Sequence, residues 1–382
     1  MAQSMNASQH SYPTIERQRL LQELLKAPSN YVFLLEEYTG RTISRLAWGS
    51  VEPAPQLRDA AFGLLMAISP SGAVPNVVSW LTAIPEFLSP WKRAEKIRHD
   101  TEMDFFKEAL DRVQASAAEG NIDPSYAKMF LEGRGEKEWD EKEWSYLIGM
   151  MAIAGALTIA SPLQSYIVAM CHYPEWQTKM QEEIELVCGD RCPEWSDREG
   201  LPTIRAVAKE ILRWRPPVPT GIPHRLETDD IYGEYFIPAG ATIHALEWGI
   251  CRDPFMYPDP EAFRPERWLN KAYPTFREPL TMYPNLKNYH QFGYGRRVCQ
   301  GVEIVDQELF LVMAGMAWAF NIRKKRDVFG KEIDVPDNKY TSLLIAKPEK
   351  FDFDLLVRGE ERRRVIEDGW EEKENVMTKK LI

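Results

Sequence analysis

Apolar residues return every three or four positions over four stretches, 15–25, 55–68, 92–118 and 174–187, with polar breaks between them. This periodicity predicts amphipathic helices. The stretch 206–217 reads as a further helical segment, and 144–170 is apolar nearly all round, as expected of a helix enclosed by others. Short runs at 234–237, 242–245 and 342–346 predict strands. The expected fold class is therefore mainly α with a small β component. No internal repeat or low-complexity linker divides the chain, so 1–382 is read as one domain. The end, 358–382, is dense in charge and is expected to fray.

From Leu147 to Met170 no residue is charged, which satisfies the criterion of about twenty apolar residues for a membrane span. Thr158, Ser161, Pro162, Gln164, Ser165 and Tyr166 within it favour a buried central helix, and 147–170 is kept as the weaker transmembrane alternative. The first twenty residues are polar, with no apolar signal core or anchor. Hydrophobic residues make up 44% of the chain, ample for a large core. With 47 Lys and Arg against 57 Asp and Glu, the net charge is −10 and there is no basic block to track phosphates. Nucleic acid is thereby excluded as a partner. Five cysteines, at 171, 188, 192, 251 and 299, are too few and too irregular for a disulfide scaffold, and Cys188 with Cys192 lacks the second pair a zinc site needs.

The chemistry concentrates in Phe292-Gly-Tyr-Gly-Arg-Arg-Val-Cys-Gln-Gly301, where one cysteine stands between a glycine turn and a long apolar stretch. A thiolate at Cys299 is favoured by positive potential, which Arg296, Arg297 and the amide end of the following helix are placed to supply. Gly293, Gly295 and Gly301 allow close approach of backbone to a flat cofactor and of amide N–H groups to the sulfur. Arg297 suits a charge-assisted fork to a carboxylate such as a haem propionate.

Phe292, Gly295, Arg297, Cys299 and Gly301 fit the pattern Phe-x-x-Gly-x-Arg-x-Cys-x-Gly, which resembles the haem-binding loop of the cytochrome P-450 family, the haem-thiolate monooxygenases. Upstream, Glu210 and Arg213 stand three apart on a helical segment, able to pair. The run Phe263-Arg-Pro-Glu-Arg267-Trp268 is similar to the family's Pro-Glu-Arg-Phe stretch, with Trp for Phe. By the resemblance, Glu210, Arg213 and Arg267 form an ion-pair network and Cys299 is the iron ligand. Counting back from Ile237-Pro238, His224 takes a place where the family carries a propionate partner, with Arg225 as its neighbouring candidate. The segment Ala154-Gly155-Ala156-Leu157-Thr158-Ile159 is similar to the family's oxygen-activating Ala-Gly-x-(Asp or Glu)-Thr-(Thr or Ser). Gly155 would leave space for oxygen and Thr158 would help deliver protons. Leu157 departs from the pattern and can neither donate nor accept a proton.

The resemblance is to fungal microsomal members of secondary metabolism and implies their fold without its N-terminal part. It also implies haem b (heme b, iron protoporphyrin IX), O2, an apolar small-molecule substrate and monooxygenation. The implied electron donor is NADPH-cytochrome reductase, since the chain carries no flavin or dinucleotide fingerprint. A monomer is expected. Family members sit on the cytosolic face of the endoplasmic reticulum membrane, and the polar first residues make this chain cytosolic or peripheral. A haem-thiolate rearrangement or dehydration catalyst is the enzyme alternative, and a truncated remnant without haem or activity is the other.

Overall fold

The computed structural model describes residues 11–72, 74–76, 78–133, 140–277 and 284–380, the backbone alone at 79 and 371–380. Helices dominate it. In chain order they are α1 (Ser11–Lys26), α2 (Tyr31–Trp48), α3 (Ala54–Ile68), α4 (Pro90–Ala118), α5 (Tyr126–Glu132), α6 (Glu141–Thr158), α7 (Ala160–His172), α8 (Pro174–Cys188), α9 (Pro202–Trp214), α10 (Glu247–Ile250), α11 (Val302–Ala319) and α12 (Glu360–Lys380). The strands form three two-stranded antiparallel ribbons: β1 (His224–Arg225) with β4 (Thr242–Ile243), β2 (Asp230–Tyr232) with β3 (Tyr235–Ile237), and β5 (Phe320–Lys324) with β6 (Phe353–Val357). The fold is thus mainly α with a small β component.

The apolar stretch 144–170 is two helices rather than one. Asp140 opens α6 by accepting the Lys142 N–H at 3.1 Å, and the break falls at Ile159. Pro162 explains it, because proline has no N–H to give the Thr158 carbonyl four residues back. Thr39 of α2 takes up one carbonyl near the break, donating to Ala156 O at 2.8 Å. Every residue of α7 from Ala160 to Cys171 is buried, enclosed by α2, α9, α11 and β5. By length and composition Glu141–His172 passes for a membrane span, but its second half is the centre of the protein core.

Two apolar clusters fill the interior. The larger gathers α1, α7, α8, α9, α11 and β5 around Tyr166, Trp214, Phe310 and Trp318, and the smaller gathers α3, α4 and α6 around Leu57, Phe106 and Ile148. Helix α2 contributes to both and so joins them. It is locked to α1 by Glu16, whose two oxygens each accept an arginine Nε, from Arg41 and Arg45, at 2.8 Å.

Two expectations are corrected. Residues 342–346 are not a strand: Leu344 N–H donates to the Ser69 hydroxyl at 2.9 Å and Ala346 N–H to Pro217 O at 2.9 Å, so the amides go to separate partners and no ladder forms. The charged end is not frayed over its first turns. It enters α12, where Ile366 and Trp370 are buried, with α1 packed alongside and Arg19 5.5 Å over the Trp370 ring. Four spaced residues put both apolar side chains on one stripe, which outweighs the surrounding charge.

Where α11 faces α9, burial pushes the Asp306 carboxyl up to about 6, with Arg198, Arg205 and Lys209 pulling it back only in part. An acid raised in the folded state costs stability once ionised. The cost is absent below the ordinary pKa of 3.8 and fully present above about pH 6. Asp306→Asn is therefore expected to raise unfolding free energy at pH 8 by roughly 1–2 kcal/mol, discounted for partial exposure, and to lose that gain below pH 4. Chemical denaturation at the two pH values measures it.

Candidate active site

The cysteine loop is assembled from backbone. A 3-10 turn at His290–Phe292 leads into Gly293 at φ +80 and Gly295 at φ +59, left-handed positions that disfavour any side chain. A second 3-10 turn, Gly295–Arg297, then brings the Cys299 N–H onto Phe292 O at 2.7 Å, closing the loop. Gly301 follows as the residue just before α11, and its backbone N–H is the neighbour that favours a charged Cys299 sulfur.

Cys299 faces a cavity of about 460 Å³. Arg297 and Gly301 share its wall on the loop side. Gly155 and Thr158 line it from α6, and the rest is mostly apolar. The structure thus brings together the cysteine and the oxygen-helix residues singled out in the sequence, across some 140 positions of chain. It does not place Phe292, Gly293, Gly295 or His224 among the described residues of that wall. Phe292 packs against the main core, the two glycines shape the loop behind it, and His224 lies exposed on the β1–β4 ribbon.

Burial pushes the Cys299 thiol up, and the influence that pulls it down is the Gly301 N–H. Arg296 and Arg297 are not among the influences on that thiol. Both are exposed, and water screens them. A charged sulfur here needs a cation in the cavity. A soft donor with one amide bond, facing a largely apolar space, suits the iron of a flat apolar cofactor that displaces the thiol proton. The donor chemistry fits haem.

Neighbouring α6 residues stand differently to the cavity. Leu157 is buried in the smaller cluster and does not reach the cavity, so its position offers the wall no acid. Thr158 does reach the wall, where its hydroxyl donates to Ala154 O at 3.1 Å. The space beside Gly155 is already taken on one side: a Cβ there would lie 2.7 Å from Ile43 Cδ1. Gly155→Ala should cost about 1–3 kcal/mol by overpacking, and Ile43→Val, which deletes that methyl, should restore much of it. Thermal denaturation of the single and double variants reads both.

Beneath the loop, Glu210, Arg213 and Arg267 meet with no side-chain exposure. Arg213 donates from Nη2 to Glu210 Oε1 at 2.7 Å and from Nε to Oε2 at 2.9 Å, while Arg267 Nε reaches Oε1 at 3.3 Å. The remaining guanidinium donors go to carbonyls, Arg213 to Cys251, Pro260 and Ala262 and Arg267 to Pro258 and Asp259. Sequence reasoning missed one member. The Trp268 indole donates to Glu210 Oε2 at 3.1 Å, and its signal was the substitution of an N–H-bearing ring for phenylalanine. It also missed Ile43 and Ile304, cavity residues with no motif around them.

The model of the cytochrome P450 (P-450) family matches residues 18–353. The cytochrome P-450 monooxygenase psoD of Aspergillus fumigatus is 34% identical over 91% of this chain and 68% of its own length. The cytochrome P-450 monooxygenase virE of Hypocrea virens is 31% identical over 94% of this chain and 67% of its own. A third such monooxygenase, fogE of Aspergillus ruber, is 28% identical over 94% and 68%. With the family's signature loop, its buried ion network and a match across most of its length, this chain belongs to the cytochrome P-450 family of oxidoreductases.

Proposed function

We propose that the chain is a haem-thiolate monooxygenase that inserts one oxygen atom from O2 into a mainly apolar small molecule, with Cys299 as the residue that would hold the iron of haem b. The observation that carries this reading is the single cavity onto which Cys299, Gly155 and Thr158 all open. When bound, haem b supplies the redox iron chemistry that activates dioxygen. The chain's residues do the rest. Cys299 gives its sulfur lone pair in place of the thiol proton, and the Gly301 N–H steadies the charge left on it. Arg297, on the wall, is the propionate partner. His224 is not among the described residues that line the cavity.

Thr158 Oγ1 is the proton-carrying group on the α6 side, exchanging its bond to Ala154 O for water. Ile43, Leu46, Leu147, Met150, Met151 and Ile304 exclude water and select an apolar substrate. Glu210, Arg213 and Arg267 hold the ground beneath the loop without touching substrate. Electrons come from NADPH through a separate cytochrome reductase, and the chain acts as a monomer.

Leu157 favours a second reading, rearrangement or dehydration of an already oxygenated substrate, because that chemistry makes less use of delivered protons. Turnover with reductase and NADPH separates the two. Consumption of O2 and NADPH in step with product is the result expected, and product formed without either would establish the second reading.

A further inference from the structure

Three ligand-type side chains from separate parts of the chain meet beside the base of the cysteine loop. Glu247 and Cys251 lie one turn apart at α10, and His290 begins the 3-10 turn that leads to Phe292. A carboxylate oxygen, the thiol sulfur and a ring nitrogen all come within 4.8 Å of one another. Glu247 and Cys251 are buried, and the His290 side chain, 18% exposed, leaves a way in from solvent.

The surrounding hydrogen bonds orient these groups. His290 Nδ1 is 2.6 Å from Glu247 Oε2, and its other nitrogen, Nε2, is 2.8 Å from the Tyr257 hydroxyl. A second ring nitrogen tied to a polar partner is the usual support of a metal-bound histidine. Gln291 Nε2 donates to Cys251 Sγ at 2.7 Å, so the sulfur is held as well. A histidine–glutamate pair alone accounts for two of these residues but not for a buried sulfur converging on them. The nearby guanidiniums are each partnered, Arg252 by Glu261 and Arg213 by Glu210, which it shares with Arg267, while the Glu247 carboxylate and the Cys251 thiolate bring two negative charges to the cation.

We propose that Glu247, Cys251 and His290 bind a divalent transition-metal ion of the zinc type, at a site distinct from the Cys299 cavity. Sulfur, imidazole and carboxylate together suit zinc and not calcium or magnesium, and three protein ligands leave one position for water. On binding, the Cys251 thiol proton passes to solvent. The His290 proton sits on Nε2 and is donated to Tyr257, freeing the Nδ1 lone pair for the metal. Bonds of about 2.0–2.3 Å in a tetrahedron imply donors about 3.5 Å apart, so the His290 Nδ1–Glu247 Oε2 pair opens from 2.6 Å as the ion enters. Because Phe292 O receives the Cys299 N–H, the ion ties α10 to the base of the loop that carries Cys299.

Titration of the purified, chelator-treated chain with zinc chloride by calorimetry tests this. One saturable equivalent is expected, lost in Cys251→Ser, weakened at least tenfold in Glu247→Gln and His290→Gln, and retained in Cys299→Ser and in the Cys188→Ser/Cys192→Ser double variant. Cobalt chloride should give a thiolate-to-cobalt charge-transfer band that survives Glu247→Gln and vanishes with Cys251→Ser. No saturable zinc binding, or a band that persists in Cys251→Ser, would overturn the proposal. Circular dichroism confirms that each variant is folded, and Glu247→Gln, which leaves the sulfur in place, decides the matter should Cys251→Ser not fold.

Discussion

Glu210→Ala is expected to leave little folded protein. The substitution strands two guanidiniums, Arg213 and Arg267, both without side-chain exposure, and removes the acceptor of the Trp268 indole. Breaking a buried ion pair from one side costs about 3–5 kcal/mol, and here a single carboxylate serves two cations. Against a total stability of about 5–15 kcal/mol, that is a large share. Arg213→Lys should be costly for a different reason. A lysine keeps the charge but not the fork that also reaches the carbonyls of Cys251, Pro260 and Ala262. Denaturant unfolding of the soluble fraction measures both, and a Glu210→Ala chain within about 1 kcal/mol of the parent would show that the network is not what holds α9 to the 258–268 segment.

The second large effect is on chemistry and not on folding. Cys299→Ser should leave the unfolding free energy nearly unchanged, because the side chain faces the cavity and is not packed in either cluster. Monooxygenase turnover should nevertheless fall below detection, since a hydroxyl at that position is a harder and far less acidic ligand than a thiol. The control is Cys171→Ser. Burial pushes that thiol up to about 12 within the main core, so it is inert, and its serine variant should lose some stability and keep its haem spectrum. If the two variants behaved alike in haem binding and turnover, Cys299 would not be the ligand.

What could be read from the sequence was mostly what depends on spacing along the chain. The Phe292–Gly301 loop carries its own turn chemistry, and Glu210 and Arg213 share a face of one helix, so their placement follows from local rules. The family and the mainly α class follow from the same motifs and periodicities. What was not legible depends on contacts made after folding. No local signal says that the amides of 342–346 go to Ser69 and Pro217, or that Leu157 turns to the smaller cluster while Thr158 turns to the cavity. Ile43 is an ordinary helix residue until α2 crosses α6 at Gly155. His224 was located by counting along a loop, and the pairing of its strand with β4 leaves it exposed. Arg296 and Arg297 had the right charge and spacing, yet exposure to water weakens them at the sulfur. The helix break at Ile159, by contrast, has a local cause in Pro162.

The most direct measurement is the absorption spectrum of the haem-supplemented chain, reduced and exposed to carbon monoxide. The strongly red-shifted Soret band of a thiolate-ligated iron is expected, present in the parent and absent in Cys299→Ser. A band of the imidazole-ligated type, or no haem taken up at all, would contradict it.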